Sequence, residues 1–254
     1  MTNHHAEISL SVEKSIIILK QLCKEPFEYR LSDLVRMTNI NRTTLYRILN
    51  TFEEQGLVIK TQQNKVYKLG PMAYQMGSVY LSSFEFTDKI YPVLKKIAAL
   101  SRESVGLAVR EGDRIISLYE IEIDQPLKMN YRAGILYPMN RGCYGKCLMA
   151  YHDQKHVQEM LQEQKFEKLA KNTLTKPEDI IKEYERIRHN GYVISDEETY
   201  PYAVGVGIPI PNSNGDVKTC VAISFIKKGK HIKKIKELLE LLLEHKSEIV
   251  KYMV

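Results

Sequence analysis

The residues best suited to chemistry lie between Asn41 and Arg47. Asn41-Arg42-Thr43-Thr44-Leu45-Tyr46-Arg47 sets two guanidinium groups, two hydroxyls and a phenol around one apolar side chain. In a helix, Leu45 turns inward with Ile48, Leu49 and Phe52, which leaves Arg42, Thr43, Thr44, Tyr46 and Arg47 outside. Arginine can bridge a guanine edge or a phosphate, and hydroxyls donate to phosphate oxygens. A little further on, Lys60, Lys65 and Lys68 flank a polar tip, Gln62-Gln63-Asn64. Their ammonium groups suit a nucleic-acid backbone. The competing reading is a three-helix packing unit with a solvated basic face.

For these groups to converge, a helix must begin at Arg42 and another must hold it. Ser11 to Cys23 carries Val12, Ile16, Leu19 and Leu22 at helical steps, and Pro26 to Tyr29 breaks it. Leu31 to Thr38 predicts a short helix with Leu31, Leu34 and Val35 inward. Asn39 suits the left-handed turn that follows, and Asn41 can cap the helix Arg42 to Gln55. Gly56 is the natural stop. Leu57 to Lys60 and Val66 to Leu69 then read as two strands around the polar tip. Two short helices, a three-residue turn and a hairpin make a winged helix-turn-helix, whose second helix enters the DNA major groove.

After Gly70-Pro71 the character changes. Met72 to about Phe86 predicts a charge-poor connecting helix with Met72, Met76, Val79 and Leu81, and Asp88 to about Arg102 another helix. Strands are expected at Val105–Arg110, Arg114–Glu122, Leu127–Tyr131, Tyr192–Ser195, Ala203–Ile210 and Thr219–Ile226. Helices are expected at Gly142–Tyr151, Lys155–Gln164 and Pro177–Asn190. A last helix from about His231 carries Ile232, Ile235, Leu239, Leu242, Ile249 and Met253. The expected fold is therefore multidomain. It has a winged helix-turn-helix over 1–70, a helical linker over 71–88 and an α+β domain over 89–254.

Composition narrows the class. The 254 residues are 44% hydrophobic and 27% charged, which is ordinary for globular protein. No apolar run approaches the roughly 18 residues of a membrane span. The opening residues lack a signal-peptide layout. Four scattered cysteines fit reduced thiols in a cytoplasm better than a disulfide framework. The net charge of +6 leans towards an anionic partner.

At this point the chain resembles the IclR family of bacterial transcription regulators. The resemblance rests on Ser11-Val12-Glu13-Lys14-Ser15, Leu31-Ser32-Asp33-Leu34, Arg42 to Leu49 and Tyr67-Lys68-Leu69-Gly70. It continues through Gly134, Pro138, Gly145-Lys146, Gly191-Tyr192, Asp196-Glu197-Glu198 and Pro209. It implies a GAF-like C-terminal domain that binds a small effector, a homodimer or tetramer, and a double-stranded operator as partner. By family position the effector pocket takes Leu136, Met139, Arg141, Tyr144, Gly145, Ser195, Gly205 and Ser224. Tyr144 stands where the family has a small residue, which implies a compact effector: an organic or sugar-derived acid, hence anionic. Asn39 and Asn41 stand where the family has glycine and often proline.

Other constellations carry less. His152 and His156 have the spacing of a helical zinc pair, but Asp153 replaces a zincin's glutamate and no third ligand follows nearby. A solvated pair is the expectation. Cys143 and Cys147 alone cannot close a metal site, and no base or oxyanion hole accompanies them. The lysines from Lys227 to Lys236 read as a solvated helix face. Neither phosphate-loop string occurs. No enzyme activity, cofactor or metal is expected. The rivals are an enzyme acting on a small acid, with an accessory DNA-binding domain, and a ligand-independent DNA-binding protein.

Overall fold

The periodic N-terminal segments become Leu10–Leu22 (α1), Leu31–Thr38 (α2) and Arg42–Glu54 (α3). They enclose Ile18, Leu22, Leu34, Ile40, Leu45 and Leu49, together with Tyr29, Val58 and Tyr67 from a small sheet. That sheet is antiparallel and joins Tyr29–Arg30 (β1), Val58–Lys60 (β2) and Val66–Leu69 (β3) in the order β1-β3-β2. β1 falls where only a break was expected. Tyr29 and Arg30 pair with Tyr67 and Val66. The α1 stripe also differs from expectation: Ile18 and Leu22 are buried, whereas Val12 and Ile16 are exposed. The helix has apolar residues on more than one side, and this core covers one of them.

The computed structural model describes residues 9–122, 132–227, 229 and 231–253. The chain divides into two units, Met1–Phe84 and Glu85–Val254. Pro71–Ser82 (α4) belongs to the first; it begins with proline at its first turn and ends short of Phe86. The strand expected over Leu127–Tyr131 lies outside the described residues. Among those residues no helix is long and apolar enough to cross a membrane.

The second unit is organised by one antiparallel sheet. Its strands are Ser104–Glu111 (β4), Arg114–Ile121 (β5), Leu136–Tyr137 (β6), Val193–Asp196 (β7), Ala203–Pro211 (β8) and Val217–Ile226 (β9). Their order is β6-β5-β4-β9-β8-β7. Along β4, β8 and β9, large and small residues alternate, and strand geometry sends the two sets to opposite faces. Val105, Leu107 and Val109, Val204, Val206 and Ile208, and Val221, Ile223 and Phe225 form the large-residue face. Two helices, Thr87–Ser101 (α5) and Ile232–Val250 (α9), cover it. Within α9, Leu238, Leu242, His245 and Ile249 are buried, while Ile232, expected in its stripe, is exposed.

The small-residue face carries Ser104, Gly106 and Ala108, Gly205 and Gly207, and Cys220, Ala222 and Ser224. Cys143–Ala150 (α6) lies against it, and every residue of α6 is buried. Behind α6 stand Gln154–Glu163 (α7) and Pro177–Asn190 (α8). The close approach of α6 depends on glycine. A methyl at Gly145 would overlap the Pro138 carbonyl oxygen, and a methyl at Gly205 would come within 2.8 Å of the Cys143 sulfur.

Lys146 is the one fully buried cation of α6, and its ammonium is completely satisfied. It donates to Glu183 Oε1 at 2.7 Å, the Ile194 carbonyl at 2.7 Å and Glu198 Oε1 at 2.5 Å. Burial raises the Glu183 carboxyl, but Arg186 and Lys146 outweigh it and hold the group below its ordinary range. Burial pushes Glu198 up despite Lys146. Replacing Lys146 by alanine strands Glu198 without its counter-charge. The Lys146→Ala protein should lose about 3–5 kcal/mol in urea unfolding. A loss below about 1 kcal/mol would mean that the three partners relax into water.

Candidate nucleic-acid interface and ligand-binding face

In the first unit, local sequence chemistry sets the exposed helix. Asn39 sits in the left-handed region at φ 54°, and the Thr38 hydroxyl donates to the Leu34 carbonyl at 2.6 Å, closing α2. Buried Ile40 anchors the turn. Asn41 caps α3 by accepting the Thr44 N–H at 2.9 Å, so its side-chain oxygen is already engaged. From this start Arg42, Thr43, Tyr46 and Arg47 are exposed and Thr44 is half-buried. Lys65 and Lys68 are exposed on the hairpin, with Lys65 at φ 50° in its turn. The Lys60 ammonium lies 5.9 Å from the Tyr46 ring centroid and 5.4 Å from that of Tyr67. This cation–π contact joins the wing to the exposed side of α3.

In the second unit, Ser195, Gly205, Ser224 and Ser104 lie directly opposite one another on β7, β8, β9 and β4. The neighbouring row is Val193, Gly207, Ala222, Gly106 and Glu120. Three hydroxyls therefore line one row, with a carboxyl at the end of the next. Ser195 is engaged, donating to Glu198 Oε2 at 3.0 Å. Ser224 is half-buried and Ser104 buried.

Glu120 is the residue that sequence reasoning missed. Tyr137 donates to its Oε1 at 3.2 Å and Tyr144 to its Oε2 at 3.3 Å. The two rings meet edge-to-face with centroids 4.9 Å apart. Space for the phenol and the carboxyl exists because position 106 is glycine, whose missing Cβ would overlap both. Glu120 keeps some exposure as a residue, yet desolvation of its carboxyl dominates and pushes it from 4.5 to about 8. The Tyr137 and Tyr144 hydroxyls oppose that rise.

The remaining pocket candidates are dispersed. Met139 is buried, and its carbonyl accepts the Tyr184 hydroxyl at 2.7 Å. Leu136 is exposed on β6, and Gly145 is a packing contact against Pro138. Arg141 is half-buried with Glu167 and Tyr200 as its charged and titratable neighbours. Its Nε is buried with no hydrogen-bond partner in the structure described, and burial lowers the guanidinium's proton affinity. The start of α6 is occupied, since Gly142 donates its N–H to Glu198 Oε2 at 2.9 Å. Burial raises the Cys143 thiol far above its ordinary range, which removes thiolate character. In the lysine run, Lys227 pairs with Glu197 and Asp196, and Lys234 with Glu103. Lys228 and Lys230 lie outside the described residues.

A winged helix-turn-helix followed by an α/β unit with a covered, partly polar sheet face defines a two-part helix-turn-helix protein. The sequence profile of the IclR helix-turn-helix domain matches residues 11–61. That of the bacterial transcriptional regulator IclR C-terminal domain matches residues 78–251. The chain belongs to the IclR family of bacterial transcriptional regulators. It is 26% identical over 215 residues to the HTH-type transcriptional regulator KdgR of Dickeya chrysanthemi, covering 85% of this chain and 70% of that one. Against KipR of Bacillus subtilis it is 23% identical over 84% of this chain and 85% of that one. Its fold is similar to an IclR regulator from Alicyclobacillus acidocaldarius, with TM-score 0.81, 21% identity and coverage of 97% and 100%. It is also similar to an IclR homologue from Microbacterium hydrocarbonoxydans solved with 4-hydroxybenzoate, with TM-score 0.78, 18% identity and coverage of 96% and 98%.

The Glu120 carboxyl carries a pH signature. Its folded pKa of about 8 lies above the ordinary 4.5, so between these values the folded chain keeps a proton that the unfolded chain has released. The stabilisation is complete below the lower value and lost as pH rises through the upper one. Stability should fall with pH across that window, by up to about 1.4 kcal/mol per pH unit. Glu120→Gln should flatten this dependence and be the more stable protein in alkali. Urea midpoints near pH 6 and pH 9 measure it; parallel pH curves for the two proteins would place the Glu120 proton elsewhere.

Proposed function

We infer that this chain is an operator-binding transcription regulator whose DNA affinity is modulated by a small organic acid, and that it is not an enzyme. The observation that carries the first part is the exposed start of α3, where Arg42, Thr43, Tyr46 and Arg47 stand outside a fully buried Leu45. Helix-turn-helix proteins read base edges with this part of the second helix. Lys60, Lys65 and Lys68 add phosphate contacts from the wing. A single winged unit offers a small interface, so specific binding calls for paired copies. Tyr74, Met76 and Val79 on α4 are exposed apolar residues that suit such pairing, with Pro71 to Asp88 as the linker. A cytoplasmic location follows from that task.

The effector reading rests on the small-residue face. The Ser104 and Ser224 hydroxyls can donate to a carboxylate, and Glu120, protonated at neutral pH, can donate as well instead of repelling it. Tyr144 occupies part of the space, which favours a compact acid over a bulky aromatic one. Against an enzyme, the buried Cys143 has no thiolate character, and Lys146 is fully used in its ion pairs.

Two measurements test the reading. Against a duplex selected from a random pool, Arg42→Ala should lose about 1–3 kcal/mol and relax preference at one base pair. Arg47→Ala should weaken all sequences alike and lower the salt slope by about one. Unchanged affinity in the double variant would overturn the interface. In a thermal-shift screen, a compact acid should raise the melting temperature of the wild type, and much less that of Ser224→Ala. If only large neutral aromatics stabilise the protein, the acid-binding face is wrong.

A further inference from the structure

We propose that Asp113, His152 and His156 form a binding site for a divalent transition-metal cation of zinc-like chemistry. The two histidines stand four apart and lack a third ligand in the sequence around them. The fold supplies one: the β4–β5 turn brings Asp113 Oδ1 to 3.1 Å from His152 Nε2 and 2.9 Å from His156 Nε2. One ligand atom from each residue lies within 4.8 Å of the other two. The imidazoles meet edge-to-face with centroids 5.6 Å apart.

The geometry is close to what a cation requires. Two ligand atoms each about 2.0–2.1 Å from a tetrahedral ion stand roughly 3.3 Å apart. Each imidazole–carboxylate separation would therefore widen by a few tenths of an ångström as the ion replaces the shared protons. Two nitrogens and one oxygen form a donor set suited to zinc, cobalt or nickel rather than calcium or magnesium. Asp113 is 47% exposed and the His156 side chain 44%, so water can fill the open coordination position.

Further contacts brace the segments that carry the ligands. Arg110 donates to the Gly112 carbonyl at 3.0 Å and braces the hairpin turn beside Asp113. The His152 carbonyl accepts from the Gln154 amide at 2.6 Å, and the oxygen of that amide accepts from Arg188 at 2.7 Å. His156 sits in the first turn of α7, where its N–H donates to the capping Asp153 at 2.7 Å. Its far nitrogen, Nδ1, faces Glu159 Oε2 at 4.0 Å. At that distance the carboxylate is an electrostatic neighbour of the imidazole, not a hydrogen-bond partner.

The acidic groups facing the pair are Asp113 from the hairpin and Asp153 and Glu159 from α7. The hydrogen bond to Asp113 holds the His156 proton above the ordinary histidine range, and the two imidazoles hold Asp113 below the usual carboxylate range. Glu120 lies at the other end of β5, roughly 20 Å along the strand from this turn, so the site is separate from the ligand-binding face.

Titration of the full chain with Co2+, followed by visible absorption, tests the site. One equivalent should bind saturably and be displaced by Zn2+. Affinity should fall at least tenfold in both His156→Gln and Asp113→Asn, with folding checked by circular dichroism. The double variant His4→Gln/His5→Gln removes the other close histidine pair in the sequence and should bind as the wild type does. Absence of saturable binding, equal affinity in His156→Gln, or loss of the signal in the His4/His5 variant would each overturn the proposal.

Discussion

The second unit depends on burying one ammonium group. Lys146 is 1% exposed, and an unpaired charge in that position would cost several kcal/mol. Its three N–H groups are spent on three different elements: Glu183 on α8, the Ile194 carbonyl on β7 and Glu198 in the loop after β7. Glu198 extends the arrangement. Its second oxygen accepts from Gly142 and Ser195, and its carbonyl accepts the Thr173 hydroxyl at 2.6 Å. Burying Lys146 thus fixes where α6 begins, and α6 in turn determines what can stand over the small-residue face.

That face illustrates how little side chain is needed to create a polar enclosure. Position 106 has to be glycine for Tyr144 and Glu120 to meet, and position 205 for Cys143 to lie against β8. The opposite face of the same strands is filled with valine, leucine, isoleucine and phenylalanine under α5 and α9. One sheet therefore serves two purposes: a dry core on one side holds the strands rigid, and hydroxyls and a carboxyl stand in register on the other. Rigid strands carry a site more accurately than loops do.

The first unit was legible because its determinants are local. The cap at Asn41, the left-handed turn at Asn39 and the helical spacing of Leu45 and Leu49 all act within a few residues. The exposed side of α1 was not legible, because apolar residues ring that helix and spacing alone cannot say which of them a partner covers. In the second unit, the helices and the longer described strands were readable from period and punctuation, but the two-residue β6 and the partners were not. Glu120 reaches Tyr137 and Tyr144 through pairing of separated strands, and Asp113 reaches His152 through a hairpin turn. One usable signal was present: the alternation of small and large residues in Ala203 to Ile210 and in Cys220 to Phe225 marks a sheet with unlike faces.

The same division bears on how a small ligand could influence DNA binding. A ligand shifts an equilibrium only by its unequal affinity for two arrangements of the protein. The Lys146 network holds the base of α6 by ion pairs that would be costly to break, so the variable part should lie elsewhere. The Tyr137–Glu120–Tyr144 group is the better candidate. Its contacts include hydrogen bonds of 3.2 and 3.3 Å and a ring contact, each modest in net energy. A compact acid that takes over the Tyr144 hydroxyl would replace one of these contacts without leaving a buried charge unpaired. On the proposed effector reading, movement of that phenol would ask less of the fold than movement of α6 as a whole.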